Sequence, residues 1–211
     1  MTHSHSDFHP DITAPEELYA QRPPWDIDRP QSAFVALADA GAIGGRVLDI
    51  GCGTGEHALL AAGRGLDATG VDLATNALDT ARRKADERGL TARFLHQDAL
   101  ALAEWNESFD TVLDCGLFHL FDGDDRAAYV SGLWSVIRPG GRYFMLGFSD
   151  RQPGEGGPHR LTHAEIIAAF EQGWRVDSIE PATIEIEIDP AGIRAWLVSV
   201  TRQAAQEPGN R

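Results

Sequence analysis

The stretch VLDIGCGTG, residues 47–55, decides the fold of this chain. It joins a short apolar run to three glycines at alternate positions, Gly51, Gly53 and Gly55. A short apolar run before turn residues is typical of a buried strand, and closely spaced glycines let a ligand or another backbone approach the chain. The stretch therefore predicts a strand that ends in a binding turn and leads into a helix.

Outward from this stretch, strand patterns alternate with helix patterns. The predicted strands cover residues 46–50, 68–72, 92–96, 109–115, 142–148, 174–188 and 193–202. The predicted helices cover residues 56–62, 74–88 and 124–137, and a further helix begins at Thr162. Such alternation predicts an α/β fold with a mostly parallel sheet and helices on both faces. In these sheets ligands bind at the carboxyl ends of the strands, which is where the glycine turn lies.

The length of 211 residues predicts one main domain. We expect a polar, disordered tail at residues 1–12, an N-terminal helical lid at 13–44 and the α/β domain at 45–205. The lid begins with a capping-box pattern from Thr13 to Glu16. The tail carries histidines that could bind a metal, but a solvated tail is the favoured interpretation.

Composition and charge restrict the classes of partner. No apolar run approaches the ~20 residues that span a bilayer, and the N-terminus lacks a secretory-signal pattern. The two cysteines, Cys52 and Cys115, form neither a disulfide framework nor a metal-binding pattern, which favours a reducing cytoplasm. The formal net charge of −14 repels polyanions such as DNA and RNA. We therefore expect a small-molecule substrate, no membrane, nucleic acid or metal partner, and a monomer or homodimer.

Carboxylates near the ends of the first three strands indicate the ligand. Asp49 precedes the glycines, where an acidic group is unfavourable beside a phosphate and favourable beside a cation. The glycine spacing also departs from the G-x-G-x-x-G pattern of dinucleotide sites. S-adenosylmethionine carries a sulfonium and an ammonium and no phosphate, so these features favour it over NAD. Asp72 can accept both ribose hydroxyls, as in NAD enzymes too, and Asp98 can either accept the adenine amino group or cap a turn.

Taken together, the motifs resemble those of class I S-adenosylmethionine-dependent methyltransferases. The residues that carry the resemblance read VLDIGCGTGEHA, GVDLATNALDTAR, LHQDAL, FDTVLDCGLFHLF and IRPGGRYFML. The resemblance implies a Rossmann-like, seven-stranded sheet of order 3-2-1-4-5-7-6, with strand 7 antiparallel, and makes 45–205 the methyltransferase domain. It assigns the cofactor contacts to Gly51, Gly53, Asp72 and Asp98 with Ala99, to which we add Asp49, Leu73 and Cys115.

The flanking segments resemble a narrower group. PPWDIDRPQ at 23–31 and FSDRQPGEGGPHRLTHAEI at 148–166 are similar to the thiopurine-methyltransferase-like branch, and more closely to actinobacterial heterocyclic toxin methyltransferases. That group methylates planar nitrogen heterocycles, including the oxygen of N-hydroxyquinolones. The resemblance therefore implies O-methylation of a hydroxylated nitrogen heterocycle such as a 1-hydroxyquinolin-4-one, with release of S-adenosylhomocysteine.

Several residues are candidates for the lid and the acceptor pocket. Trp25 can cover the cofactor and offer a cation–π face. Alternatively, it can pack the N-terminal helices against the core. His119 has the ordinary pKa of a general base near neutrality, although it can instead orient a loop, and an already ionised acceptor needs no base. The further candidates for binding the acceptor are Phe118, Asp150, Arg151 and Arg160.

Other functions remain open at this point. A thiol or quinol acceptor would keep the methyltransferase activity and change the substrate class. An NAD-type oxidoreductase would share the glycines and Asp72, and a non-catalytic cofactor sensor would share the whole cofactor site. Asp49 and the glycine spacing count against the oxidoreductase, and no appended interaction module is visible in the sequence.

Overall fold

A seven-stranded sheet forms the centre of the protein. The computed structural model describes residues 15–154 and 156–204, so the predicted tail and Thr13 lie outside the described residues. The strands are β1 (Arg46–Ile50), β2 (Asp67–Asp72), β3 (Arg93–His96), β4 (Phe109–Cys115), β5 (Ile137–Phe148), β6 (Trp174–Ile186) and β7 (Asp189–Arg202). Their order is β3-β2-β1-β4-β5-β7-β6, and β7 runs antiparallel to both of its neighbours. The predicted sheet is confirmed.

Helices alternate with the strands along the chain. They are α1 (Pro15–Leu18), α2 (Ser32–Asp39), α3 (Glu56–Gly63), α4 (Thr75–Arg88), α5 (Gly123–Val136) and α6 (His163–Ala169). α4 is capped by Gly89 in the left-handed conformation, and Thr162 and Glu165 form the capping box that begins α6. Within the described residues, no helix is both long and apolar enough to cross a bilayer.

The main departure from the predicted elements lies between α5 and β5. The sequence pattern extends the helix to residue 137 and begins the strand at 142, but α5 ends at Val136 and β5 begins at Ile137. Ile137 pairs with Phe109, and Arg142 pairs with Thr111 after a shift in register. The RPGG turn is therefore a bulge inside β5, because the residue before it has already joined the strand ladder.

Side chains alternate across β1, and this separates two apolar cores. Leu48 and Ile50 belong to the core that includes Leu133 of α5. Val47 belongs to the core that includes Phe34 of α2. Both faces of the sheet are thus covered, and the carboxyl ends of its parallel strands remain to build a site.

The N-terminal segment, residues 15–31, lies over this carboxyl edge and is fixed at its far end by Gln31. The Gln31 side chain accepts a hydrogen bond from the Glu185 N–H (2.7 Å) and donates one to the Glu185 carbonyl (3.0 Å). Arg29 pairs with the Glu185 carboxylate at 2.9 Å. The Glu187 N–H donates to the Pro24 carbonyl at 2.9 Å. These bonds attach the segment to the end of β6 and to the residue that follows it.

Candidate active site

A cavity of about 670 Å³ lies between the carboxyl ends of the strands and the N-terminal segment. Its volume is within the range of small-molecule sites. The half nearest β1–β3 is lined by Gly51, Cys52, Gly53, Asp72, Leu73, Asp98 and Ala99, among others. The other half is more apolar and includes Pro24, Ile27, Phe148, Pro158, Ile184, Ile186 and Ile193. We name these the cofactor half and the acceptor half.

The glycine turn needs its glycines for two different reasons. Gly53 has φ +50°, and a Cβ there would overlap the hydroxyl of Tyr19 on the N-terminal segment. Gly55 has φ +85°, and a Cβ there would lie 2.7 Å from the Phe94 ring. Gly53 therefore lets the backbone approach the cavity, whereas Gly55 lets α3 begin close to the sheet.

Asp49 lies beneath the turn and does not itself line the cavity. Its Oδ2 accepts from the Ala58 N–H at 3.0 Å, while its buried Oδ1 has no hydrogen-bond partner among the described residues. His57 accepts the Gln31 N–H at Nε2 (3.2 Å), so its Nδ1 carries the proton and faces Oδ1 at 3.9 Å. Burial raises the pKa of Asp49 to about 7 and lowers that of His57 to about 4. A nearby cation would favour the charged form of Asp49.

Asp72 joins the end of β2 to the glycine turn. One carboxylate oxygen accepts from the Gly53 N–H and the other from the Ala74 N–H, each at 2.8 Å. Burial raises the pKa of Asp72, and the backbone donors oppose that rise. Each oxygen keeps a lone pair, so the side chain is held in position to accept further hydroxyl groups from the cavity.

Asp98 both lines the cavity and caps a turn. Its Oδ1 accepts from the Leu100 N–H at 2.8 Å at the start of a 3₁₀ helix, Ala99–Glu104. The capping interpretation of Asp98 is thus seen in the structure, and Oδ2 remains for a ligand. Ala99 and Gln97 line the cavity beside it.

Two aromatic residues of the N-terminal segment face the cofactor half. Trp25 lines the cavity and is 37 % exposed, as expected of a residue that covers an opening. Tyr19 also lines it, next to Gly53, and was not among the sequence-predicted site residues. Burial and the nearby Asp72 carboxylate raise the pKa of Tyr19, so it is a neutral phenol. Its position four residues before Pro23, at the start of the proline-rich stretch that holds Trp25, was the available sequence signal.

The end of β4 brings Cys115, Gly116 and His119 to the boundary between the two halves. Phe118 does not line the cavity, which corrects its predicted place in the acceptor pocket. Its ring is fully buried and stacks on Phe170 at 5.7 Å, because the short 3₁₀ turn at Phe118–Leu120 directs it into the core. Phe121 lines the cavity instead.

His119 is held by the strand beside it. Its Nδ1 accepts from the Phe148 N–H at 3.1 Å, and its ring meets the Phe148 ring edge-on at 4.9 Å. Burial, with a smaller contribution from the charge of His159, lowers the pKa of His119 to about 3. The imidazole is therefore neutral at physiological pH, with one ring nitrogen already used as an acceptor.

The loop after β5 contributes only some of its predicted residues. Arg160 lines the cavity, and its Nη2 donates to the Gly156 carbonyl at 2.9 Å. Asp150 and Arg151 lie outside the lining, which corrects their predicted place. Asp150 accepts from the Trp196 Nε1–H at 3.2 Å, and Arg151 lies over the Trp196 ring at 5.1 Å. They hold the base of the loop against β7.

Comparison with known proteins identifies the family of this chain. A methyltransferase-domain family model matches residues 47–141. A 2-heptyl-1-hydroxyquinolin-4(1H)-one methyltransferase of Mycobacteroides abscessus is 37 % identical over 174 residues, 81 % of this chain and 76 % of the relative. A demethylmenaquinone methyltransferase of Thermus thermophilus is 42 % identical over 105 residues, 49 % of this chain and 47 % of the relative.

A solved structure is similar over nearly the whole chain. It comes from a study of the conversion of a disulfide bond into a thioacetal group during echinomycin biosynthesis. It has a TM-score of 0.81 and 39 % sequence identity, and the match covers 93 % of this chain and 92 % of the chain in that structure. The chain belongs to the class I S-adenosylmethionine-dependent methyltransferases. It is an enzyme whose methyl donor is S-adenosylmethionine.

The cofactor half fits this donor chemically. The buried Asp49 Oδ1 has no partner and suits a nearby positive charge. The Asp72 oxygens, already fixed by backbone donors, suit a ribose diol. The turn backbone can approach the ligand because Gly53 has no side chain. A charged Asp49 beneath the turn would be unfavourable beside the pyrophosphate of a dinucleotide.

Replacing Asp72 with Asn tests this assignment. We expect Asp72→Asn to weaken S-adenosylhomocysteine binding about 10- to 100-fold. The substitution replaces one carboxylate oxygen with an NH₂ group, so fewer acceptors remain for the ribose and for the Gly53 N–H. Isothermal titration calorimetry measures the change. The matched control is Asp67→Asn at the other end of β2, where the carboxylate is exposed and pairs with Arg46. Equal dissociation constants for the two variants would remove Asp72 from the cofactor site.

Proposed function

We propose that the enzyme transfers the methyl group of S-adenosylmethionine to the hydroxyl oxygen of a small planar nitrogen heterocycle, such as a 1-hydroxyquinolin-4-one. The observation that carries the proposal is the acceptor half of the cavity. Its wall is made mainly of flat and branched apolar groups, and its polar groups include His119, Gln152 and Arg160. An apolar slot with a few placed polar groups suits an aromatic acceptor with one reactive oxygen.

The site residues divide between the two substrates. We assign Trp25, Asp49, Gly51, Gly53, Asp72, Leu73, Asp98, Ala99 and Cys115 to the cofactor, and add Tyr19 from the structure. Asp49 acts from beneath the turn, through its charge. We assign His119, Arg160, Phe121 and Phe148 to the acceptor. The relative from Mycobacteroides abscessus, named for a hydroxyquinolinone, supports the acceptor class.

The chain's own contribution to the reaction is positioning and exclusion of water. The bound cofactor supplies an electrophilic methyl group on a sulfonium. The acceptor half holds the reactive oxygen against Cys115 and Gly116, at the edge of the cofactor half. Holding reacting atoms at about 3–3.5 Å and removing water can supply several kcal/mol of the barrier reduction. The N-terminal segment, as a lid, would provide the closed environment that this requires.

A sulfur or quinol acceptor is the second candidate. The similar solved structure, studied for conversion of a disulfide bond into a thioacetal, favours sulfur. The Thermus relative, a demethylmenaquinone methyltransferase, favours a quinol but matches only 49 % of this chain. An apolar acceptor half suits each of these acceptors. The candidates therefore differ in which atom is methylated, and identifying that atom distinguishes them.

The location in the cell is also part of the proposal. Cys52 and Cys115 are both free thiols in the structure, and Cys52 is buried. Free thiols are typical of reducing compartments, which supports the cytoplasm.

Mass spectrometry of methyl transfer tests the acceptor. The panel holds a 1-hydroxyquinolin-4-one, the same ring without the N-hydroxyl group, a thiopurine, a small thiol and a short-chain quinol. We expect turnover on the hydroxyquinolone and a large loss on the ring that lacks the N-hydroxyl group. Turnover confined to the thiopurine and thiol, or to the quinol, would replace the proposed acceptor with the second candidate.

A further inference from the structure

The His119 ring occupies a slot made by two glycines. A Cβ at Gly116 would lie 3.3 Å from Cε1 of His119 and 3.8 Å from its Nε2. A Cβ at Gly147 would lie 3.7 Å from its Nδ1. A side chain at Gly116 would crowd the imidazole, which is 5 % exposed, and one at Gly147 would contact it. The ring is therefore confined between the ends of β4 and β5, with its Cε1–Nε2 edge toward Gly116, which lines the cavity.

The hydrogen bond at Nδ1 determines where the proton of the ring lies. The Phe148 N–H donates to Nδ1 at 3.1 Å. A neutral imidazole that accepts at Nδ1 must carry its hydrogen on Nε2. Nε2 has no hydrogen-bond partner within the part of the chain that the structure describes, and His119 lines the cavity. Neither nitrogen is free to take a proton: one lone pair is used, and the other nitrogen is already protonated.

We propose that His119 donates a hydrogen bond from Nε2–H to the reactive oxygen of the acceptor, and that the enzyme methylates an acceptor that enters already ionised. This inference rests on the proposed function, because it concerns the acceptor of that reaction. It differs from the general-base role, which is one of the roles that the sequence leaves open for His119. Donation to an oxygen anion stabilises the anion and directs one of its lone pairs toward the methyl group.

The electron and proton balance needs no base in the site. A lone pair of the acceptor oxygen forms the new C–O bond while the C–S bond breaks, and the electron pair of that bond stays on sulfur as a neutral thioether. The acceptor loses its proton to solvent before it binds. His119 keeps its Nε2 proton throughout.

The charges around His119 favour an anionic acceptor. His159 and Arg160 belong to the loop after β5, and Arg160 lines the cavity. Asp114 lies below, on β4, but its carboxylate is buried and accepts from four donors, the hydroxyls of two tyrosines and two backbone N–H groups. Glu165 of α6 pairs with His159 at 2.6 Å. Arg160 is therefore the cation of this loop that lines the cavity. The carboxylates that line the cavity belong to the N-terminal segment, α3, the end of β2 and the segment after β3: Asp26, Glu56, Asp72 and Asp98.

Two substitutions separate a donor from a base. Glutamine places an amide N–H near the position of Nε2 and cannot act as a base, whereas phenylalanine keeps the ring shape and has neither property. We expect His119→Gln to keep kcat within about fivefold of wild type, and His119→Phe to lose about 10- to 100-fold, the scale of one hydrogen bond to a charged group. The matched control, His163→Gln, changes an exposed histidine of α6 outside the cavity lining. Equal, severe losses in both His119 variants would overturn the inference.

The pH profile gives a readout that a structural role would not change. With wild type, we expect the acidic limb of kcat/KM to follow the ionisation of the acceptor, and to shift when a hydroxyquinolone with a different hydroxyl pKa is used. The His119→Gln profile should have the same limb. A limb near the ordinary histidine pKa of about 6.5 that disappears in His119→Gln would show a base.

Nitrogen NMR of labelled histidine measures which ring nitrogen of His119 carries the hydrogen. It therefore tests the inference independently of the proposed function. In the S-adenosylhomocysteine complex, the signals absent from His119→Gln identify His119. We expect the Nε2–H form from pH 5.5 to 8, and a shift of the Nε2 signal when a 1-hydroxyquinolin-4-one is added. An Nδ1–H or charged ring would overturn the inference even if the hydroxyquinolone is methylated. Failure to methylate any heterocycle would overturn the proposed function, whichever form the ring has.

Discussion

Lys84→Met should lower the free energy of unfolding by about 3–5 kcal/mol and loosen the N-terminal segment. Lys84 is the only lysine of the chain, and its side chain is 8 % exposed. Its ammonium lies 2.8 Å from Glu56 of α3 and 2.8 Å from Asp28 of the N-terminal segment. Asp26 lies at 3.7 Å. Removing the ammonium leaves carboxylates facing one another with only Arg88 to compensate Glu56.

The loss should reach the cofactor, because Asp26 and Asp28 lie close to Trp25 on the same segment. Thr54 of the glycine turn donates to Asp26 at 3.0 Å and accepts from Lys84 at 3.0 Å. We expect a protease to cleave the Lys84→Met variant more readily near residue 30. We also expect the variant to bind S-adenosylhomocysteine more weakly. Urea unfolding and calorimetry measure the two effects.

Arg83→Met is the matched control, since it changes the neighbouring residue of α4. Arg83 is exposed and pairs with Glu87 at 3.2 Å, a pair worth about 0.5 kcal/mol or less. Similar unfolding curves for Lys84→Met and Arg83→Met would show that the buried cluster does not hold the segment.

The pH dependence of the Lys84 effect follows from its partners. The hydrogen bond and charge of Lys84 lower the pKa of Asp28. Burial alone would raise the pKa of Glu56, but Arg88 and Lys84 outweigh it and the net shift is downward. Carboxylates with lowered pKa stabilise the fold above their unfolded pKa of about 4, and that stability is lost as the pH falls. The difference between wild type and Lys84→Met should therefore shrink below about pH 4.

The site positions that the sequence places at strand ends depend on local patterns. Gly53 and Asp72 follow directly from strand ends, and parallel strands bring their carboxyl ends to one edge. The structure adds that Asp98 caps a turn while it lines the cavity. No contact with a distant segment had to be known to predict these positions.

The parts that sequence did not predict depend on contacts between distant segments. Gln31 bonds to Glu185, 154 positions away, and no local pattern indicates that pair. The Lys84 cluster joins three segments in the same way. Phe118 and Phe121 both follow β4, and periodicity cannot tell which of them a single 3₁₀ turn directs into the core. The ring-nitrogen contacts of His119 likewise appear only once β5 lies beside it.

Asp114→Ala should be the most disruptive change at the end of β4. The Asp114 carboxylate is fully buried and accepts from the hydroxyls of Tyr129 (2.8 Å) and Tyr143 (2.6 Å). It also accepts from the N–H groups of Leu117 (2.8 Å) and Phe118 (3.1 Å). Removing one acceptor from four buried donors should cost about 4 kcal/mol, since each unsatisfied group costs about 1–3 kcal/mol and some donors will find water.

Asp114→Asn keeps the shape and separates stability from function. The amide oxygen can accept from part of the donor set, so we expect a loss of about 2 kcal/mol in urea unfolding. The turn that carries His119 is tied to Asp114 through the Leu117 and Phe118 N–H groups, so kcat should fall about tenfold. S-adenosylhomocysteine affinity should change little, because the residues that we assign to the ribose and the adenine, Asp72 and Asp98, lie at the end of β2 and just after β3.

Asp110→Asn at the other end of β4 is the control for this prediction. Asp110 is partly exposed and pairs with Arg138 at 2.8 Å, on the side of the sheet away from the cavity. We expect a loss of about 1 kcal/mol or less and an unchanged kcat. If Asp114→Asn loses stability but keeps full kcat, the buried carboxylate serves the core alone and the turn at 116–120 is positioned by other contacts. A fall in kcat without a matching fall in cofactor affinity places Asp114 behind the acceptor half of the site.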